Sequence, residues 1–272
     1  MSDKPKIFLT RELPPQTMKL LREQAVLTMN HEDRYLTKTE IMDGIRGVDG
    51  LLCLLTDSID DEILAANPAL KVVANFAVGF NNIDVAAATI RKIPVTNTPG
   101  VLTETTADMA FALLLDVARR VSEGDRFVRT RAWQGWGPLQ FLGADVSHAT
   151  LGLVGLGRIG KSMIPRAQGF SMNVLYWNRT RLTLAEEASL QVTYCELDEL
   201  LQQSDFVSVH VAQNAETRHL LGAREFSLMK PEALLVNTAR GPIVDEKAMV
   251  TALQSGQIAG AGLDVYEQEP LL

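Results

Sequence analysis

Cysteine is scarce: only Cys53 and Cys195 occur among 272 residues, each in or beside an apolar run and far apart in sequence. That excludes a disulfide framework and reads as two buried free thiols in a reducing compartment. No apolar run approaches the roughly 18 residues that a membrane-spanning helix requires. The polar start "MSDKPKIFLT" leads into a strand-like run too short for the apolar core of a signal peptide, so the cytoplasm is the expected location. An excess of positive charge is missing too. With 26 Lys and Arg against 33 Asp and Glu, the net charge is −7, and both signs are spread along the chain. There is no basic stripe to attract nucleic acid or an anionic membrane, and neither partner is expected. The chain also lacks low-complexity tracts and short-period repeats, which argues against a solenoid.

What is present is apolar residues, 46% of the chain, enough to bury a large core across two domains. Up to Val95, the runs "KIFLT", "AVLTM", "GLLCLL", "KVVANFAV" and "IPVTN" read as strands. Helix-like stretches "PQTMKLLREQ", "TKTEIMDGI", "DEILAAN" and "DVAAATIRK" alternate with them. Such alternation predicts a parallel sheet. After the turn "NTPG" comes a long helix pattern with Thr103 as its expected N-cap and Phe111, Leu114, Val117 and Val121 on one face. The alternation restarts at Ala149, with "TLGLVG", "MNVLYW", "SDFVSVHV", "ALLVNT" and "IAGAGLDV" as strands. The expected division is therefore 1–98 and 99–272.

The segment "GLGRIGKS" fits two phosphate-binding patterns. As Gly155-x-Gly157-x-x-Gly160 it is a dinucleotide fingerprint, and as Gly155-x-x-x-x-Gly160-Lys161-Ser162 it is a P-loop. A P-loop calls for Mg²⁺ on Ser162 and a helping carboxylate at a neighbouring strand end. The candidates are poor: "ALLVN" ends in Asn237, and Asp264 lies inside "GLDV". The dinucleotide reading requires a strand before the glycines, a helix after them and a ribose-reading residue at the end of the next strand. "TLGLV", "RIGKSMIPRAQGF" (helical apart from Pro165) and "NVLYW" ending at Asn178 meet those demands. Gly155 then serves the tight turn, Gly157 the approach of pyrophosphate and Gly160 the helix–sheet contact, with Leu156, Arg158 and Ile159 between them. At the end of the second strand, an acidic residue would accept from the 2′-hydroxyl of NAD. Here stands "WNRTR", a neutral Asn178 followed by Arg179, Thr180 and Arg181. Two guanidinium groups suit a 2′-phosphate, so NADP(H) is expected to be preferred, with NAD(H) possible.

The ordered set "ANFAVGFNNIDV", "VTNTPGVLTETTADMAFALLL", "LGLVGLGRIG", "LLVNTARGPIVDE" and "IAGAGLDVYEQEP" resembles the D-isomer-specific 2-hydroxyacid dehydrogenases, and most of all their glyoxylate/hydroxypyruvate reductases. The likeness runs from "KIFLTREL" to the last residue. It implies an α/β fold of two Rossmann-like, doubly wound parallel-sheet domains around a cleft, the first flavodoxin-like and substrate-binding, the second holding the dinucleotide. It also implies roles. Arg240 clamps the carboxylate and keto oxygen of a small 2-keto acid, a task that suits a planar guanidinium fork. Glu269 supports a catalytic histidine. Asp264 meets the nicotinamide carboxamide, while Thr106, Thr238 and Ala239 contact the cofactor. The N–H groups of Val78 and Gly79 also receive the substrate carboxylate, and Leu54 and Leu55 line the substrate's tail. No metal is called for.

One part of the family pattern falls outside this sequence, which ends at Leu272 without the usual C-terminal segment. The family's proton donor is a histidine in a "PHxG"-like segment beyond the Glu-Pro pair. None of His31, His148, His210 and His219 lies in that motif. His210, ending "SVHV" beside the cofactor, reads as a ribose-side or structural residue, with a substitute acid as the alternative. Dinucleotide binding without useful turnover is accordingly the expectation for residues 1–272. Three functions are in play: a reductase of glyoxylate or hydroxypyruvate, a non-catalytic dinucleotide sensor resembling corepressors of this fold, and a triphosphatase. Retention of both Arg240 and Glu269 favours the reductase. The apolar cluster Trp133, Trp136, Leu139, Phe141 and Leu142 predicts a homodimer built on this region.

Overall fold

A computed structural model describes residues 4–271, which separate between Leu102 and Thr103 into two compact units. In the first, β1 (Lys6–Leu9), α1 (Pro15–Gln24), β2 (Val26–Met29), α2 (Lys38–Gly44), β3 (Gly50–Leu54), α3 (Asp61–Ala65), β4 (Val72–Phe76), α4 (Val85–Ile90) and β5 (Val95–Thr96) alternate strictly. The five strands pair in parallel in the order β2-β1-β3-β4-β5. Three helices start where a side chain accepts a backbone N–H: Thr37 from Glu40, Asp60 from Ile63 and Asp84 from Ala87. Ile45, Leu51, Cys53, Ile63 and Val73 fill the core beneath them. The strand order reverses between β1 and β3, and in an open parallel sheet the crevice for a ligand lies beyond the carboxyl ends at that reversal.

The second unit begins with α5 (Thr103–Arg119) and α6 (Val121–Arg129). It continues with β6 (Thr150–Val154), α7 (Arg158–Gly169), β7 (Asn173–Trp177), α8 (Leu184–Leu190), β8 (Thr193–Tyr194), α9 (Leu197–Gln203) and β9 (Phe206–Val209). It closes with α10 (Ala223–Leu228), β10 (Leu234–Asn237), a 3₁₀ turn at Gly241–Ile243, α11 (Glu246–Gln254) and β11 (Gly260–Leu263). All six strands are parallel in the order β11-β10-β9-β6-β7-β8, the dinucleotide-binding arrangement, with its reversal between β6 and β9. Leu114 and Phe206 are buried within this unit, each worth roughly 1.5–3 kcal/mol against exposure.

Four local expectations need correction. The single helix anticipated from Thr103 through Val121 breaks at Arg120, which adopts a left-handed φ of 55°, and Val121 is exposed on α6. Thr103 is the first helical residue and not the N-cap. α7 runs through Pro165, which has no N–H to donate within the helix. The two-residue strand β8 was too short to carry a periodic signal. The two thiols are free and buried, and desolvation pushes Cys53 up to about 12 and Cys195 up to about 11, so neither is a thiolate at neutral pH. Among the described residues no helix is long and apolar enough to cross a membrane.

Candidate functional site

The fingerprint glycines sit at the reversal point of the second sheet. Gly155 follows β6 with φ of 102°, a conformation that side chains avoid, and a Cβ there would lie 2.7 Å from the Val211 nitrogen and 2.8 Å from the His210 carbonyl carbon. Its N–H donates to the Trp177 oxygen at 2.9 Å, which ties the turn to the end of β7. A Cβ on Gly160 would stand 2.3 Å from the Gly155 oxygen, so the first turn of α7 touches the loop backbone. Gly157 differs: a Cβ there meets nothing within 4 Å, leaving open space over the helix N-terminus. The first intrahelical bond is Lys161 N–H to the Gly157 oxygen, so the N–H groups of Arg158, Ile159 and Gly160 remain for an anion. Leu156 is buried below them. Ser162 is turned away and donates to Glu104 Oε1 at 2.8 Å, which leaves the P-loop reading without its metal-binding hydroxyl.

After β7, Asn178 Nδ2 donates to the Thr180 oxygen at 2.9 Å, curling the loop. Arg179 is well exposed, with Glu216 at 3.9 Å. Arg181 does not share that freedom. Its Nε and Nη2 donate to Glu187 at 2.7 and 2.9 Å, and its guanidinium lies over the Tyr194 ring. Glu187 is buried and also accepts from the Tyr176 hydroxyl at 2.7 Å. Arg181 and the Tyr176 hydroxyl hold the Glu187 carboxyl down at about 2, and Tyr176 is pushed up to about 12 by desolvation and its charged neighbour. Arg181 therefore braces the loop through its bonds to Glu187, and of the two arginines Arg179 is the more exposed, held by the long ion pair to Glu216.

His210 follows β9 on the other side of the reversal point. Its Nε2 lies 2.9 Å from Ser208 Oγ, and burial pushes its pKa down to about 4. At neutral pH the ring is uncharged, which removes the imidazolium a substitute proton donor would supply.

β10 ends in Asn237, and this buried amide shapes the loop that follows. It accepts from the Ala239 N–H at 3.0 Å and donates to the Arg240 oxygen at 2.9 Å. Its carbonyl accepts from the Asp264 N–H at 3.0 Å, which places the exposed Asp264 at the end of β11 beside the same loop. Arg240 is half-buried, with Nη1 donating to the Ala239 oxygen at 2.7 Å. Desolvation lowers its pKa while the nearby Glu269 opposes that shift, and an arginine so placed stays charged. Glu269 Oε1 accepts from the Tyr266 N–H at 2.8 Å, closing the turn that carries it. Thr238 is buried with its Oγ1 unpartnered among the described residues, an orphaned hydroxyl such as a bound molecule would satisfy. Open space at Gly157, free N–H groups on α7 and the orphan at Thr238 together fit a dinucleotide. Thr106 is partly exposed on α5.

In the first unit, the loops after β3 and β4 are joined by a polar network that sequence reading missed. Asp57 accepts from Thr10 Oγ1 at 2.5 Å and from the Leu54 N–H at 2.8 Å. Asn82 donates to the oxygens of Leu54 and Asp57, both at 3.0 Å, and Asn75 donates to the Gly79 oxygen at 2.8 Å. Asn97 holds the Val78 oxygen at 2.7 Å. With their carbonyls tied down, Val78 and Gly79 keep N–H groups without a protein acceptor among the described residues. Leu54 is partly buried and Leu55 exposed at the reversal point of this sheet. Three asparagines and a buried aspartate between apolar strands were the available signal, since buried polar groups must find partners.

Comparison with known proteins places this arrangement. A family model described as the NAD-binding domain of D-isomer specific 2-hydroxyacid dehydrogenases matches residues 111–272. A glyoxylate reductase of Thermococcus litoralis is 48% identical over 271 residues, spanning 98% of this chain and 82% of that protein. One from Korarchaeum cryptofilum is 50% identical over 269 residues, with 98% and 81% covered. Among solved structures, an NADPH-dependent glyoxylate/hydroxypyruvate reductase of Sinorhizobium meliloti in complex with NADP and malonate is 34% identical, with a TM-score of 0.88 over 99% of this chain and 82% of that one.

Proposed function

We propose, from the premise that this chain belongs to the D-isomer specific 2-hydroxyacid dehydrogenase family, that it reduces glyoxylate or hydroxypyruvate to the D-2-hydroxy acid with NADPH as the preferred reductant. Family membership makes it an NAD(P)-dependent oxidoreductase acting on small keto acids. The choice of substrate rests on the names of its relatives. The choice of cofactor rests on the neutral Asn178 followed by the exposed, cationic Arg179. The bound nicotinamide supplies a hydride to the keto carbon. The residues of this chain prepare that carbon. Arg240 presents a planar guanidinium of the kind that holds a carboxylate and a keto oxygen together, and its charge stabilises the oxygen as it becomes negative. The amides of Val78 and Gly79 are the assigned receivers of the substrate carboxylate, with Leu54 and Leu55 against its tail. Glu269 is the carboxylate assigned to support the proton donor. Gly155, Gly157 and Gly160 seat the pyrophosphate at α7, and Thr238, Ala239, Asp264 and Thr106 complete the cofactor contacts.

The observation that carries the catalytic reading is the half-buried Arg240 in the loop after β10, with Glu269 near enough to act on its charge. A dinucleotide sensor has no chemical use for that pair. In the full-length protein, Arg240→Ala should lower kcat/KM for glyoxylate by about 10²–10³ or more while NADPH affinity is retained. Equal loss of cofactor binding would show that Arg240 serves the dinucleotide and not the keto acid. We further propose a homodimer. Trp133, Trp136, Leu139 and Leu142 are all exposed, while Phe141 is half-buried against Phe127 with ring centroids 4.8 Å apart. We also propose a cytoplasmic location, a reading that the two free thiols support.

A further inference from the structure

We propose that His219 is a positioning residue that sets the spacing of Arg240 and Glu269 by gripping the two segments that carry them. The proposal rests on the roles assigned above to those two residues. His219 adopts φ of 52°, in the left-handed region that non-glycine residues seldom occupy. From that conformation its N–H donates to the Pro242 oxygen at 2.9 Å, two residues after Arg240. Its imidazole Nε2 lies 2.7 Å from Glu267 Oε1, two residues before Glu269. A single residue thus holds one segment by its backbone and the other by its side chain. The backbone grip extends along the chain: Leu221 N–H donates to the Ile243 oxygen at 3.2 Å and Asp245 N–H to the Leu221 oxygen at 2.9 Å.

Glu267 is fixed from further directions. Arg218 reaches it at 3.2 Å, and it is reciprocally bonded to Glu246, whose Oε2 accepts the Glu267 N–H at 2.9 Å and whose own N–H donates to Glu267 Oε2 at 3.4 Å. The carboxylate is held below its usual range, with His219 the largest cause. The two gripped segments also touch directly. A Cβ on Gly241 would lie 1.8 Å from the Tyr266 oxygen and 2.4 Å from the Glu267 nitrogen, so backbone meets backbone next to Arg240. A displacement of Glu267 is therefore passed to Gly241 and to Arg240, while the same displacement moves the turn closed by Glu269. The strained backbone of His219 makes sense when its grip on two functional segments is what matters.

The test compares wild type, His219→Ala, His219→Gln and Glu267→Gln in the full-length protein. His219→Ala should raise the glyoxylate KM and lower kcat, with kcat/KM reduced about tenfold or more and the NADPH dissociation constant within about twofold of wild type. His219→Gln, whose amide nitrogen reaches as far as Nε2, should recover most of the loss. The alkaline limb of the kcat/KM profile should move to lower pH in His219→Ala and Glu267→Gln, because a displaced Glu269 supports the proton donor less well. Unchanged kinetic constants and pH profile overturn the proposal, as does a fall in kcat alone that matches a loss of folded protein. Hydrogen exchange reads the link without turnover: His219→Ala should speed exchange in both 241–245 and 265–269, and protection retained in either segment contradicts it. A wild-type protein that reduces no 2-keto acid would sink the proposed function instead, and exchange would still decide the mechanical link.

Discussion

Replacing Gly160 and Gly157 separately by alanine splits folding from cofactor binding. At Gly160 the new Cβ would lie 2.3 Å from the Gly155 oxygen, a backbone atom that cannot rotate away. Real Cβ contacts stay beyond 3.0 Å, so α7 must withdraw from the loop by at least about 0.7 Å. Overpacking of that size costs typically about 1–3 kcal/mol, and a shift approaching 1 Å at a binding centre can cost about 10²-fold. For a unit of this size each kcal/mol lowers Tm by about 2–4 °C. Gly160→Ala should therefore lower Tm by several degrees and weaken NADPH and NADH alike by about 10²-fold. Gly157→Ala meets nothing within 4 Å at a φ of −75° that alanine accepts. Its Tm should stay within about a degree, yet both dinucleotides should weaken by about tenfold or more, since the methyl group fills the pyrophosphate's approach. Calorimetry and nicotinamide fluorescence titration measure the two quantities. A Gly157→Ala protein that binds NADPH as wild type does would refute the placement of the pyrophosphate over this loop.

Arg179→Ala should weaken NADPH about tenfold and leave NADH unchanged, as loss of one charge-assisted contact to a 2′-phosphate requires, whereas Arg181→Ala should lower Tm through loss of its bond to Glu187; fluorescence titration and calorimetry separate them. The depressed Glu187 carboxyl contributes stability that is present above its unfolded value near 4.5 and is lost as pH falls through about 2. A Glu187→Gln protein should accordingly show a flatter Tm-versus-pH curve across that acid window than wild type. Light scattering at micromolar concentration should give twice the chain mass, and Trp136→Glu should shift it toward the monomer; a monomeric wild type contradicts the dimer.

Most of the architecture was legible because parallel strands buried on both faces read as short continuous apolar runs, and "TLGLV", "NVLYW" and "FVSV" stand out against the turns between them. The three fingerprint glycines were legible as a spacing pattern within six residues, although the demands behind it differ: Gly160 is crowded by the Gly155 backbone, Gly155 by His210 and Val211 far along the chain, and a Cβ on Gly157 meets nothing within 4 Å. Failures came where a distant or unsigned partner decided. Nothing about Arg120 announces a left-handed residue that ends α5. Arg181 read as a free cation until Glu187, tucked inside by Tyr176, claimed its donors. His219 and Glu267 lie 48 positions apart, and the Thr10–Asp57 bond spans 47, separations at which polar pairing leaves no pattern along the chain.

The central claim is that Arg240 and the Gly155–Gly160 loop serve one hydride transfer to a 2-keto acid. Its most direct test is the consumption of NADPH by the full-length protein on addition of glyoxylate or hydroxypyruvate, followed by the absorbance of the reduced nicotinamide. The account predicts steady oxidation, faster with NADPH than with NADH at equal concentration, and its loss in Arg240→Ala. Tight NADPH binding with no oxidation by either keto acid would contradict it and favour a dinucleotide sensor.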